Sequence, residues 1–260
     1  TPYLVEGGDL GNIVDSYFET MSGFTTTGST VIVDFASHNH SIYFWRGLTQ
    51  WLGGMGIVAL AIAVLGRTGP GGKALLEREA PGPDSDKLTP RIRDTALHLW
   101  LVYIGLSIAM VLILLAVWFV DRGQGMDLYN ATVHMFTTMS TGGFSPEPRS
   151  IESFGWAAEV VITVFMVIAG ANFALWYLMV KRDWWAAARD GEFRVYILIL
   201  AVASALTAIG LLATTDKGVV GAFGEATFQI VSMMTTTGFA SQDLDRKSTR
   251  LNSSHGYISY

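Results

Sequence analysis

The sequence predicts an all-α membrane protein made of repeated units, each a span, a short half-helix, a turn and a second span. Three observations predict it. Half of the 260 residues are hydrophobic, only 15% are charged and the mean hydropathy is +0.38, which sets the chain apart from ordinary soluble proteins. Four apolar stretches, about 42–65, 95–120, 155–180 and 195–213, reach the roughly 20 helical residues that cross a bilayer core of about 30 Å. Three segments, 21–29, 135–144 and 231–239, are near-copies in which hydroxyl residues lead into Thr-Gly. Internal repetition of this kind marks quasi-symmetric architecture.

The elements follow in order. A half-helix is expected before each Thr-Gly turn, at about 15–25, 127–139 and 222–234, each too short to span. Asp15, Asp127 and Glu225 lie at or near their starts, where an acid favours a helix N-terminus. Gly53, Gly54 and Gly56 in the first span suit close helix approach. Two polar connections carry most of the basic residues: Arg67, Lys73, Arg78, Lys87, Arg91 and Arg93 in one, Lys181, Arg182, Arg189 and Arg194 in the other, against Arg122, Arg149 and Lys217 on the opposite side. The positive-inside rule puts both in the cytoplasm and all three turns on the outer side. The organisation is then 1–66, a first repeat lacking its first span; 67–93, a cytoplasmic loop; 94–180, the second repeat; 181–192, a second cytoplasmic loop; 193–240, an incomplete third repeat; and 241–260, a polar, non-periodic stretch read as a non-native tail. The chain is expected to begin partway into a longer protein.

The turns carry the chemistry. Glycine admits backbone angles that aim successive carbonyls inward, and carbonyl oxygens can replace the water of a dehydrated monovalent cation. Each half-helix brings a partial negative charge at its C-terminal end. The candidate ligands are Thr26, Thr27, Gly28 and Ser29; Ser140, Thr141, Gly142 and Gly143; Thr236, Thr237, Gly238 and Phe239. Outside them lie Glu6, Asp9, Asp15, Glu19 and Asp34 with no basic partner in sequence, either an acidic vestibule that concentrates cations or loop charges and caps. Glu19 falls inside the first half-helix and is read as a support for the turn.

Other chemistries find little. There is no Cys, and the net charge of -5 gives no support to nucleic-acid binding. His98 and His134 lack partners at metal-ligand spacing and read as core histidines. Asn172 reads as an interhelical hydrogen-bonding residue, and Glu159 lies near the outer end of its span. The segment 66–73 fails as a phosphate loop, because Ala74 stands where Ser or Thr is required. No nucleophile triad or carboxylate pair stands out, so neither an enzyme nor a resident cofactor is expected.

The repeats, the run Trp45-Arg46-Gly47-Leu48-Thr49-Gln50-Trp51-Leu52-Gly53-Gly54-Met55-Gly56, and Glu79-Ala80-Pro81-Gly82-Pro83 followed by Lys87-Leu88-Thr89-Pro90-Arg91 resemble the Trk/Ktr family of potassium-transporting membrane subunits over about residues 4–243. The resemblance implies a potassium-channel-like fold of span, pore half-helix, filter and span, with about three of four repeats present. It implies Gly28, Gly142 and Gly238 as the principal filter glycines, with potassium at Thr27, Gly28, Thr141, Gly142, Thr237 and Gly238. It also implies channel-like or ion-coupled potassium uptake across the cell membrane, a homodimer in the lipid bilayer and a cytoplasmic nucleotide-binding regulatory subunit. Two alternatives stand beside it: a secondary transporter of a small solute with broken helices, and a non-conducting fragment.

Overall fold

The computed structural model describes residues 2–65, 88–121, 125–180, 185–215 and 218–241. Its helices, in chain order, are α1 (Pro2–Glu6), α2 (Ile13–Phe24), α3 (His40–Leu65), α4 (Leu88–Val120), α5 (Leu128–Met139), α6 (Trp156–Ala169), α7 (Phe173–Val180), α8 (Ala186–Arg189), α9 (Gly191–Thr214) and α10 (Val219–Met234). Three of them, α2, α5 and α10, fall where the half-helices were expected. Asn12 caps α2, its side chain accepting from the Val14 amide at 3.0 Å, so Asp15 is a first-turn acid and not the cap. Asp127 caps α5 through the Asn130 amide at 2.9 Å. The third half-helix departs from expectation. It starts at Val219 after Gly218, with no side-chain cap, so Glu225 sits well inside it and cannot serve its N-terminus.

The second half-helix is the centre of the molecule. It packs against α3, α4 and α6, and every residue from Val133 to Met139 is buried. Around it one apolar cluster joins Met55, Tyr103, Met110, Met135, Phe136, Ile162, Met166 and Phe228. A smaller cluster of Tyr3, Leu10, Ile32, Ile42 and Tyr43 holds the N-terminal segment. Outside this core the long helices stay apolar where they are exposed. On α4, Leu97, Leu101, Ile108 and Leu112 form an exposed stripe, and on α9 Val195, Leu198, Val202, Leu206 and Ile209 form another. Water does not favour such faces, whereas lipid does. Among the described residues, Leu97–Val120 and Gly191–Thr214 are long and apolar enough to cross a membrane.

The sequence-based boundaries need several corrections. The second span begins earlier than expected, since α4 is helical from Leu88 and takes up the last residues of the predicted 67–93 loop. The loop expected at 181–192 contains α8, and α9 starts at Gly191, capped by Asp190 through the Phe193 amide at 2.8 Å. Residues 67–87 of the first basic loop, 181–184 of the second and 242–260 of the tail lie outside the described residues.

The largest departure is the third span, which is two helices and not one. It breaks between Ala169 and Phe173. At 14 residues, α6 alone covers about 21 Å, short of a bilayer core. Tertiary contacts accompany the break. A Cβ at Gly170 would lie 2.7 Å from Thr235 Cγ2 and 2.9 Å from the Tyr196 hydroxyl, so the chain passes tightly under the end of α10. The break frees carbonyls at the end of α6, which need donors in an apolar setting. Tyr196 donates to the Val167 carbonyl at 3.3 Å and Trp176 Nε1 to the Ile168 carbonyl at 3.0 Å. Asn172 lies in this break; its carbonyl accepts from the Leu175 amide at 3.0 Å as α7 begins.

Candidate functional site

Each half-helix ends in the same turn. In the first, the Thr26 amide donates to Gly23 O and the Thr27 amide to Ser22 O, both at 3.0 Å. In the second, Thr141 donates to Thr138 O at 3.0 Å and Gly142 to Thr137 O at 2.8 Å. In the third, Thr236 donates to Met233 O at 3.1 Å and Thr237 to Ser232 O at 2.9 Å. Two residues per turn take left-handed backbone angles, always two positions apart: Thr26 and Gly28 at φ 55° and 79°, Thr141 and Gly143 at 52° and 74°, Thr236 and Gly238 at 60° and 80°. A non-glycine residue at such angles is uncommon, so its threefold recurrence is a property of the turn.

This geometry shifts the register read from sequence. Gly143, not Gly142, is the equivalent of Gly28 and Gly238. Gly142 occupies the place of Thr27 and Thr237, with a φ outside the left-handed region. The residues that follow, Ser29, Phe144 and Phe239, correspond in the same register.

The turns lie side by side. A Cβ on Gly28 would strike the Gly142 carbonyl oxygen, and one on Gly143 would strike the Thr237 carbonyl oxygen. The second turn is therefore flanked by both others and is the most buried. Beyond the third turn, the Ile151 amide donates to Ala240 O at 3.0 Å and the Ala240 amide to Ser150 Oγ at 3.2 Å, tying that strand to the loop after the second turn. A cavity of about 210 Å³ opens between Thr26, Thr141, Met55, Met139, Tyr103 and Phe173. Sequence reasoning did not anticipate it.

The back of the site is α3, whose polar residues the sequence reading left without roles. Glu19 on α2 is fully buried, and so is Arg46 on α3; Arg46 Nε donates to Glu19 Oε1 at 2.7 Å. The expectation that Glu19 lacks a basic partner is corrected here, because chain folding brings together residues 27 positions apart. Glu19 also accepts from the Thr30 hydroxyl at 3.0 Å and the Val31 amide at 3.1 Å, on the strand leaving the first turn. Arg46 donates to Thr30 Oγ1 at 3.1 Å and lies over the Phe144 ring, 4.0 Å from its centroid. One helical turn on, Gln50 donates to Gly142 O at 2.7 Å and accepts from the Phe144 amide at 3.1 Å. Further along, a Cβ at Gly53 would strike Phe24 O and one at Gly54 would lie 2.8 Å from Ser140 Cβ, whereas Gly56 meets nothing. His134 is buried beside the second turn, between Asn130 O at 2.8 Å and Ser145 Oγ at 3.1 Å.

The exposed acids hold loops. Glu6 accepts from the Asn39 amide at 2.9 Å, and Asp9 accepts from the Val33 and Asp34 amides, both at 3.0 Å. These backbone donors, Asp34 first, keep the Asp9 carboxyl below its ordinary value. A depressed carboxylate contributes its stabilisation above the unfolded value, near 3.8, and loses it as pH falls through the folded value. Acidification through that window is expected to free the Val33 and Asp34 amides, and Asp9→Asn to free them already at neutral pH. Hydrogen exchange at those two amides, corrected for intrinsic rates, checks this; protection in Asp9→Asn equal to that of the unaltered chain would refute it.

Helices apolar along their exposed faces, with three equivalent turns crowded together behind α3, define a helical membrane protein. The chain belongs to the TrkH family: the family model described as a cation transport protein matches residues 6–255. It is 38% identical over 252 residues to the Trk system potassium uptake protein TrkH of Escherichia coli K12, covering 94% of this chain and 50% of that protein. It is 37% identical over 233 residues to TrkG of the same strain, covering 88% of this chain and 47% of that one. The crystal structure of the potassium transporter TrkH from Vibrio parahaemolyticus superposes with a TM-score of 0.74 at 32% identity, over 92% of this chain and 47% of that one. The chain spans about half the length of the relatives it matches.

Proposed function

We propose that this chain supplies three carbonyl-lined turns of a potassium uptake pathway, a transporter rather than an enzyme, in the cell membrane. The observation that carries the proposal is the threefold turn, with the same pair of left-handed residues each time and neighbouring turns in contact. The relatives are potassium uptake proteins by name, which supports the choice of ion. Thr26, Thr27, Gly28 and Ser29, with Ser140 to Phe144 and Thr236 to Phe239, form the filter, and oxygens of these turns replace the hydration shell of the ion. The C-terminal ends of α2, α5 and α10 lead directly into the turns and add partial negative charge. The cavity beside Thr26 and Thr141 is the next station of the ion. Glu6 and Asp9, held as carboxylates, favour cation entry from the outside. The basic residues of 67–93 and 181–194 favour the cytoplasm for the opposite side.

Uptake is channel-like or ion-coupled and driven by the membrane potential, where 100 mV is worth about 2.3 kcal/mol per charge, roughly fifty-fold accumulation. A homodimer and a cytoplasmic nucleotide-binding regulatory subunit complete the proposed assembly. The test is a chimera in which this chain replaces the matching half of the Escherichia coli relative, expressed in a strain without potassium uptake. Growth at low potassium and rubidium tracer uptake are expected. A chimera that reaches the membrane intact and moves neither ion would refute the proposal.

A further inference from the structure

We propose that Gln50 is the positioning residue that sets ion discrimination at the second turn, an inference that rests on the uptake function above. The first and third turns carry their own side-chain ties. The Thr25 and Thr27 hydroxyls pair at 2.7 Å, and those of Thr235 and Thr237 at 2.8 Å. Ser22 donates to Ser29 O at 2.6 Å, and Ser232 to Phe239 O at 2.7 Å, closing each loop across its glycine. The second turn has neither tie. Gly142 replaces the second threonine of the pair, and Thr137 replaces the serine. The Thr137 hydroxyl donates back along its own helix, to Val133 O at 3.2 Å and His134 O at 3.3 Å.

What the second turn lacks, α3 provides. Gln50 is fully buried and spans Gly143, donating to the carbonyl before it and accepting from the amide after it. Two bonds of opposite sense leave the amide one orientation and fix the peptide planes on both sides of Gly143. The two positions are also fitted to each other. A Cβ at Gly142 would strike Gln50 Cδ and lie 2.7 Å from Nε2, so the threonine of the other turns cannot stand where this glutamine reaches. The direction of the Gly142 carbonyl is thus set from outside its own turn. Rotation of that peptide alters how many oxygens face the pathway, and potassium and sodium respond differently to the number and field of those oxygens.

The test is the ratio of initial rubidium to sodium uptake in the chimera, normalised to protein in the membrane. Gln50→Leu removes both bonds and is expected to lower the ratio at least about tenfold, equivalent to about 1.4 kcal/mol of discrimination. Gln50→Glu keeps the acceptor for Phe144 but turns an oxygen toward Gly142 O, and is expected to lower the ratio as well; it decides the matter should Gln50→Leu not reach the membrane. Gln50→Ala combined with Gly142→Thr gives the second turn the hydroxyl pair used by the others, beside Ser140, and is expected to recover most of the ratio. Variants that lose uptake with an unchanged ratio would reduce Gln50 to a packing role and overturn the proposal. An unaltered chimera without rubidium uptake would instead remove the function on which it rests.

Discussion

Alanine at Gly143 is expected to abolish uptake, and alanine at Gly238 to leave a measurable remainder. Both positions, with Gly28, hold left-handed angles of 74° to 80° that cost an L-residue roughly 1–2 kcal/mol. Their surroundings differ. At Gly143 the new methyl would strike Thr237 O and at Gly28 it would strike Gly142 O, while at Gly238 no described residue lies within 4 Å. Strain alone predicts a fall of roughly tenfold for Gly238→Ala. Strain plus a collision with backbone, which cannot yield as a side chain can, adds about 1–3 kcal/mol and predicts losses of a hundredfold or more for Gly28→Ala and Gly143→Ala. Initial rubidium uptake per chimera in the membrane measures all three. Equal losses at the three sites would mean that the turns do not touch as described.

Glu19→Gln is expected to destabilise the protein by about 3–5 kcal/mol, because it strands a buried guanidinium. Arg46 is 1% exposed and Glu19 is 0% exposed, so water cannot compensate either charge. Arg46→Leu strands the carboxylate in the same way. The double variant, Glu19→Gln with Arg46→Leu, leaves no orphaned charge and is expected to lose at least about 1 kcal/mol less than the sum of the single losses. Unfolding of the purified chimera in detergent gives the three values. Additive losses would show that the two side chains act separately. The loss should reach transport as well, since the pair joins α2, α3 and the strand leaving the first turn.

The three short helices before the turns and the long apolar helices α4 and α9 were legible because each is a local pattern of the chain. The register of the second turn was not. The adjacent Gly142 and Gly143 offer two glycines where the other repeats have one, and similarity of letters selects the first. Counting from the hydroxyl residue that receives the turn settles it: Ser22, Thr137 and Ser232 each stand six positions before Gly28, Gly143 and Gly238. The roles of Arg46 and Gln50 depend on residues far along the chain, such as Gln50 and Gly142 at 92 positions apart. A signal existed, since Arg46, Gln50, Gly53 and Gly54 recur at helical spacing and put polar and small residues on one face of a span. The break at Gly170 left a fainter trace, a glycine and Asn172 within an apolar run, because its closest neighbours, Thr235 and Tyr196, lie far along the chain.

That break bears on biogenesis. While residues 155–180 emerge from the ribosome, neither Tyr196 nor Thr235 has been made, and nothing yet caps the Val167 carbonyl from outside the segment. The contacts of Gly170 with Tyr196 and Thr235, and the donor to the Val167 carbonyl, form only once α9 and α10 have been made, so the second repeat reaches its final packing after the third is synthesised.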